Sequence, residues 1–212
     1  MMFTPNLLPA LIEAVKKVID DNSDEVTALD QAIGDGDHVV NLQRGLSALM
    51  EQRHDLVMLD WSVALQKIGM TMMTTVGGAS GSLYGTLFMT MSKAVQGQVL
   101  TTQGFASAFS EAVESVKRRG KADVGEKTML DVLIPVAEYL NKAVLETVSL
   151  TDMLKNIPEV AIQGMESTRD MLATKGRASF LEARSLGHID AGAKTSQLMI
   201  CACVSVLSTA PA

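Results

Sequence analysis

Asp30, Asp35 and Asp37 fall within eight residues, in the run Leu29-Asp30-Gln31-Ala32-Ile33-Gly34-Asp35-Gly36-Asp37-His38-Val39-Val40-Asn41. Carboxylates packed this densely repel one another unless a cation sits among them. Mg²⁺ takes hard oxygen ligands, keeps some of its waters and commonly shares the rest with phosphates. The segment therefore reads as a metal–nucleotide site. Turn chemistry also favours Asp and Gly, but three acids beside a histidine exceed what a turn needs. The run is not an EF-hand, because the twelfth position counted from Asp35 is Leu46, where a bidentate Glu is required. It is not a zinc site either, with no Cys and a single His nearby.

Three further segments carry the residue types that such a site needs. Gly77-Gly78-Ala79-Ser80-Gly81-Ser82 precedes an apolar helical pattern. Small residues let backbone N–H groups approach an anion, and a helix N-terminus favours negative charge. Alone, a Gly-rich loop is more often a turn; beside a metal site it becomes a phosphate cradle. Gly120-Lys121-Ala122-Asp123-Val124-Gly125-Glu126-Lys127-Thr128 resembles a Walker A loop, but Glu126 interrupts the pattern and no strand precedes it. It stays a nucleotide-contacting loop without being a P-loop. The last segment holds Gly176-Arg177-Ala178-Ser179 and Gly187-His188-Ile189-Asp190-Ala191-Gly192. Arg177 could pair bidentately with phosphate or with Glu182 across the loop, and the residues alone leave both open. His188 reads as a structural histidine, and His54, in the charged run Glu51 to Asp55, as a solvated one.

The elements that must position these residues are helical, because the apolar period is helical nearly everywhere. Leu7, Leu8, Leu11, Ile12, Val15, Val18 and Ile19 form a first stripe, with Thr4 as N-cap and Pro5 at the first helical position. Later stripes run through Leu42–Met50, Leu65–Met72, Leu83–Val95, Phe105–Val116, Met129–Leu140, a helix opened by the capping box Ser149–Asp152, and Leu198–Val204. Asp60 caps the third. Pro135 and Pro158 should kink helices or mark first turns. The expected fold is all-α: one domain over residues 1–212, a barrel or bundle of about eight antiparallel amphipathic helices. In such a bundle alternate loops share an end. The four special segments, 30–41, 76–82, 119–128 and 174–192, are the odd-numbered connections, so they should converge on one composite site.

Composition narrows the function. The 212 residues suffice for one full core, and 47% hydrophobic content excludes disorder. A net charge of −6 argues against nucleic-acid binding. It also means that a phosphate ligand needs metal to bridge like charges. Cys201 and Cys203 stand two apart on a helix, on different faces, and read as buried unpaired thiols of a reducing cytosol. The N-terminus lacks the order of a signal peptide. No apolar run reaches the roughly 20 residues of a membrane span, so Leu198 to Leu207 reads as a core helix. The 14 methionines read as core filler.

Taken in order, Leu-Asp-x-x-Ile-Gly-Asp-Gly-Asp-His, Gly-Gly-Ala-Ser-Gly, Arg-Gly-Lys-Ala-x-x-Gly-x-Lys-Thr-Met and Lys-Gly-Arg-Ala-Ser-Phe-Leu-x-x-Arg-Ser-x-Gly-His-x-Asp-x-Gly-Ala resemble the nucleotide-binding L subunit of dihydroxyacetone kinase. The motifs run from Leu29 to Ala193. The resemblance implies a barrel of eight helices with nucleotide at one end. It implies two Mg²⁺ held by Asp30, Asp35 and Asp37, and ADP, tightly bound, or ATP. Nucleotide contacts are implied for His38, Asn41, Ala79, Ser80, Gly120, Met129, Arg177, Asp190, Ala191 and Gly192. Asp30, Asp35, Asp37 and Arg177 would carry the charge screening of phosphoryl transfer. No general base is evident in this chain, and the resemblance assigns the sugar to a separate K subunit.

Family members divide by phosphoryl donor. Because the chain stands alone, the expected form is the one recharged by a phosphohistidine-carrying phosphotransferase protein, in the cytoplasm, with a homodimer among the expected assemblies. The alternatives are an ATP-dependent kinase subunit for dihydroxyacetone or another small ketose, and a nucleotide-bound regulator. One departure stands out: Val39 occupies the position after the His where the family usually has Gly. A β-branched residue tolerates positive φ poorly, so either residue 39 is ordinary helix or the phosphate approach is altered.

Overall fold

The computed structural model of the chain describes residues 3–209. Among them are nine α-helices, three short 3-10 segments and no strand. The helices are α1 (Leu8–Asp21), α2 (Ser23–Ile33), α3 (His38–Leu56), α4 (Trp61–Thr75), α5 (Gly78–Ala94), α6 (Thr102–Gly120), α7 (Leu130–Leu145), α8 (Leu150–Ser167) and α9 (Ala191–Thr209). Neighbours in sequence pack against each other from α3 through α9, α1 packs on α3, and α9 returns to pack on α1. The helices thus form a closed ring of eight, with α2 lying outside it against α3 and α9.

Helix α2 is the element that hydrophobic periodicity missed. Its sequence, SDEVTALDQAI, buries only Val26 and Ile33, too few apolar positions for a stripe. Asn22 separates it from α1. Asp30 therefore stands on the last turn of a helix, and the non-helical stretch is Gly34 to Asp37 in place of the expected 30–41. Similarly, Gly78 to Ser82 already belong to α5, and Arg177–Ser185 forms a 3-10 segment within the expected 174–192 loop.

Capping sets the other starts. The Asp60 carboxylate accepts from Val63 N–H at 2.9 Å and the Ser149 hydroxyl from Asp152 N–H at 3.1 Å. Thr4 precedes a 3-10 turn, Pro5–Leu7, and makes no side-chain cap. Pro135 and Pro158 sit inside α7 and α8. Val39 is on the first turn of α3 and only 2% exposed, so its backbone is ordinary helix and its side chain belongs to the core.

The core is one cluster drawn from α1 through α9, including Ile19, Leu42, Leu56, Met72, Val116, Val132 and Ala161. Methionine does not uniformly fill it: Met72, Met91 and Met153 are buried, while Met58, Met70 and Met73 are exposed. Where helices cross most closely the sequence has glycine. A Cβ on Gly69 of α4 would lie 3.0 Å from the backbone N of Met89, and one on Gly85 of α5 3.1 Å from Gly69 O. Cys201 and Cys203 are free and half-buried, less enclosed than expected. Helix α9 has 19 residues and a mean hydropathy of 1.2, long and apolar enough to cross a membrane by length and composition. It begins seven residues before the apolar stretch read from sequence, and it packs in the ring against α1 and α8.

Candidate functional site

The turn between α2 and α3 brings one carboxylate oxygen from each of Asp30, Asp35 and Asp37 within 4.8 Å of one another. Local hydrogen bonding explains how. Asp37 is the N-cap of α3 but makes no side-chain cap. Instead Asp30 accepts from His38 N–H at 3.0 Å, across the turn. Gly36, at φ +76°, allows the chain to turn within the four residues Gly34 to Asp37. The Asp37 carboxylate is thereby left free beside those of Asp30 and Asp35. Three exposed or half-exposed hard-oxygen donors this close fit a divalent cation such as Mg²⁺.

His38 extends from this turn to two other segments. Its Nδ1 lies 3.1 Å from Ser80 Oγ at the start of α5, and its Nε2 lies 2.9 Å from Thr195 Oγ1 in α9. Burial pushes the His38 pKa below its usual value, and Asp30, Asp37 and Asp35 act against that shift. Gly77 and Gly78, at φ +76° and +57°, turn the chain into α5. A Cβ at either would meet nothing, so conformation and not space demands glycine there. The backbone at the start of α5 is therefore open to an incoming anion.

Between that helix start and the end of α6 lies a cavity of about 380 Å³. Leu83, Val116, Ala122, Met129 and Leu130 give it apolar walls, and Arg119 stands among its lining residues. Ala79, Gly120 and Met129, expected as nucleotide contacts, all line it, as do Lys175 and Gly176 of the last loop. An apolar slot with a few polar groups suits a planar organic base.

The last loop closes the arrangement from the other side. Ala173 and Ala178 pack on Ile33 of α2, with Leu181 alongside. This seats Arg177 so that its guanidinium lies 2.9 Å from Asp35. The partner of Arg177 in the chain is thus Asp35 of the aspartate cluster and not Glu182. Asp190 caps α9, accepting from Ala193 N–H at 2.8 Å. Burial pushes the Asp190 carboxyl up to about 7, against that N–H and the charge of Lys127. Gly192 approaches both halves of the site: a Cβ there would lie 3.0 Å from Asp190 Oδ2 and 3.6 Å from Met129 Cβ. Ala191 is buried beside them. Asn41 lies one turn along α3, its side-chain oxygen taken by Arg44. His188 contributes its carbonyl to Lys127, and His54 is exposed as expected.

Residues that sequence reading passed over hold the loops in place. Lys127 is 1% exposed, and its ammonium donates to the carbonyls of Thr168 and His188. Burial pushes its pKa down while Asp190, Asp170 and Asp131 oppose the shift. Asp131, equally buried, accepts from Gly125 N–H and from Thr128 N–H at 2.7 Å. Glu126 accepts from Thr174 at 3.0 Å and lies 3.5 Å from Lys175, joining the loop after α6 to the loop after α8. Only the position of Lys127 and Glu126 in a loop already singled out hinted at such roles.

All four segments thus meet at one end of the ring, and comparison with known proteins accounts for the pattern. The DAK2 domain family matches residues 32–205. The chain is a DAK2-domain protein. The ADP-binding subunit DhaL of PEP-dependent dihydroxyacetone kinase 1 from Listeria innocua is 42% identical, over 85% of this chain and 86% of the relative. The corresponding subunit from Escherichia coli is 40% identical, over 84% and 85%. A crystal structure of the dihydroxyacetone kinase from C. freundii in complex with AMP-PNP and Mg²⁺ shares the fold, with a TM-score of 0.71 at 20% identity. The DAK2 chain covers 98% of itself in that superposition but spans only 34% of the larger kinase chain. The all-helical ring is therefore the DAK2 fold.

Proposed function

We propose that this chain is the Mg²⁺–nucleotide-binding subunit of a dihydroxyacetone kinase, carrying a phosphoryl group on bound ADP to a ketose held by a partner K subunit. The observation that carries this reading is the convergence of Asp30, Asp35 and Asp37 beside the open start of α5 and the apolar cavity. The metal-site carboxylates, a phosphate cradle and a base slot lie in the order that a nucleoside diphosphate presents them. The names of the DhaL relatives, at about 40% identity over most of both chains, support ADP as the nucleotide and dihydroxyacetone as the class of acceptor.

Each residue has a task in this reading. Asp30, Asp35 and Asp37 hold the metal, and two Mg²⁺ ions there would supply charge screening for the phosphates. Arg177 leaves Asp35 for a phosphate oxygen once metal neutralises the carboxylate. Backbone N–H groups of Ala79 and Ser80 orient the phosphates. Gly120 and Met129 border the base. Asp190, Ala191 and Gly192, braced by Lys127, exclude water from that side. This reading assigns no general base to the chain, in keeping with an acceptor activated on another subunit.

Phosphohistidine on a phosphotransferase protein is proposed as the donor, and the cytoplasm as the compartment. The test is a chase. Protein loaded with labelled ADP is mixed with K subunit and dihydroxyacetone, then with unlabelled ATP or with a phosphohistidine carrier. Retained label with turnover only on adding the carrier supports the coenzyme form. Rapid label loss with turnover on ATP alone replaces it with an ATP-dependent kinase, and absence of nucleotide binding overturns both.

A further inference from the structure

Ala173 and Ala178 are both buried and pack on Ile33 of α2, and Ala173 N–H donates to the Ser185 hydroxyl at 3.0 Å. Between these two tied points run Thr174, Lys175, Gly176 and Arg177, a strap of four residues. Gly176, at φ +64°, separates two cations with different partners: Arg177 lies 2.9 Å from Asp35, and Lys175 lies 3.5 Å from Glu126 Oε1. The Thr174 hydroxyl donates to the same Glu126 oxygen at 3.0 Å. Glu126 is offered from a firmly tied loop. Gly125 and Thr128 on either side donate their N–H groups to the buried Asp131 carboxylate, and Lys127 is 1% exposed with its ammonium on two carbonyls. The second Glu126 oxygen accepts from Asp123 N–H at 2.7 Å, which fixes the carboxylate to its own loop and leaves Oε1 to the strap. The two segments joined in this way are walls of one cavity: Gly120, Ala122 and Thr128 line it together with Lys175 and Gly176.

From this we infer that Glu126 is a positioning residue: it latches the strap Thr174–Arg177 against the loop after α6, and breaking its contacts with Thr174 and Lys175 is the step that lets nucleotide leave or enter the cavity. The inference rests on the nucleotide-site reading for the identity of what is held. In that reading the Arg177 end of the strap is released by the phosphate it comes to hold, whereas the Glu126 end keeps the same partners with and without ligand. Exchange then requires Thr174 and Lys175 to leave Glu126 together, so this side chain sets residence time more than affinity. An ion pair as exposed as Lys175–Glu126 accounts alone for about two- to fivefold in rate. A hydroxyl donating to the same ionised oxygen brings the combined effect to roughly 10-fold.

The test is the release rate of a fluorescent ADP analogue, loaded with Mg²⁺ and chased with excess unlabelled ADP in a stopped-flow instrument. Thermal melting of each nucleotide-free variant establishes that it folds. Glu126→Ala should release the analogue roughly 10-fold faster than wild type. Glu126→Gln, which keeps an acceptor for Thr174 and loses the charge, should fall between the two. Glu126→Lys and Lys175→Glu each place like charges together and should release quickly, while the double swap restores the ion pair and should bring the rate back toward wild type. That recovery is a readout that mere loss of structure would not give, and it stands even if Glu126→Ala fails to fold. An unchanged release rate in folded Glu126→Ala and Glu126→Gln overturns the inference. A double swap no slower than Lys175→Glu alone overturns it as well, by assigning Lys175 to the nucleotide itself. A folded wild-type protein that binds no Mg²⁺–ADP would instead refute the nucleotide-site reading, so the two failures are distinguishable.

Discussion

Arg177, after α8, and Asp35, ahead of α3, are joined by an ion pair of 2.9 Å. In the proposed reading, the cation meant for a phosphate thus rests on a carboxylate meant for a metal. The two bound partners would separate the pair by competing for its ends. Arg177 is 69% exposed and Asp35 32%, so the pair is worth at most about 1 kcal/mol. Replacing Arg177 by Gln should therefore raise Mg²⁺ affinity in the absence of nucleotide by up to about fivefold. The same change should lower affinity for Mg²⁺–ADP. Calorimetry of Mg²⁺ alone and of ADP at saturating Mg²⁺ gives both numbers. A variant that loses Mg²⁺ affinity as well would show Arg177 to be part of the metal site and not its competitor.

Metal and nucleotide should hold the four loops together. At a ligand concentration of 100 times Kd, linkage adds about 2.7 kcal/mol to stability. For a domain of this size each kcal/mol moves Tm by roughly 2–4 °C. Chelating Mg²⁺ from the loaded protein should lower Tm by about 5–10 °C. Asp35→Ala should emerge from purification without ADP and melt at the chelated temperature. An Asp35→Ala protein that retains stoichiometric ADP would remove Asp35 from the metal site.

The Asp190 carboxyl, held at about 7 by burial against 3.8 for the ordinary side chain, makes the nucleotide-free protein sensitive to pH. The folded state keeps a proton that the unfolded state has lost between about pH 4 and 7. Stability should therefore fall as pH rises through that window and level off above it. Asp190→Asn keeps an acceptor for Ala193 N–H and cannot titrate. Its urea midpoint should lack this decline and exceed that of the wild type on the alkaline side. Parallel curves for the two proteins would show that Asp190 titrates normally.

Phe180, 85% exposed on the segment that carries Arg177, is accompanied there by exposed Leu172 and Leu186. Apolar side chains beside the phosphate end of a site suit a docking partner. In the proposed reading that partner is the K subunit. Phe180→Asp should leave Mg²⁺–ADP affinity unchanged and reduce sugar phosphorylation at limiting K subunit by 10-fold or more, about the loss expected for an aromatic anchor. Full turnover under those conditions would place the docking surface elsewhere.

The ring helices could be read in the sequence because each buries a continuous stripe, as Leu42, Leu46 and Leu49 do in α3. Helix α2 could not, because it lies outside the ring with two buried residues. The clustering of Asp30, Asp35 and Asp37 was legible from local density alone. Thr195 and Lys127 were not. Their roles come from hydrogen bonds to partners in other segments, and a buried threonine or lysine leaves no periodic signature. Arg177 was singled out in the sequence but its ion pair with Asp35 was not, since Asp35 reaches it only through the packing of Ala173 and Ala178 on Ile33.

The return of α9 to α1 has a consequence for how the chain comes into being. A ribosome delivers the three aspartates long before Thr195, which follows His38 by 157 residues. Until α9 emerges, α1 lacks one wall and the His38 ring lacks its anchor, so an unfinished chain cannot draw stability from nucleotide. The contacts that close the ring are also those of longest sequence separation, which places them among the slow events of folding. Capture of Mg²⁺–ADP should then coincide with the last cooperative step, and the small molecule would act as a seal on a finished ring instead of a template for a growing one.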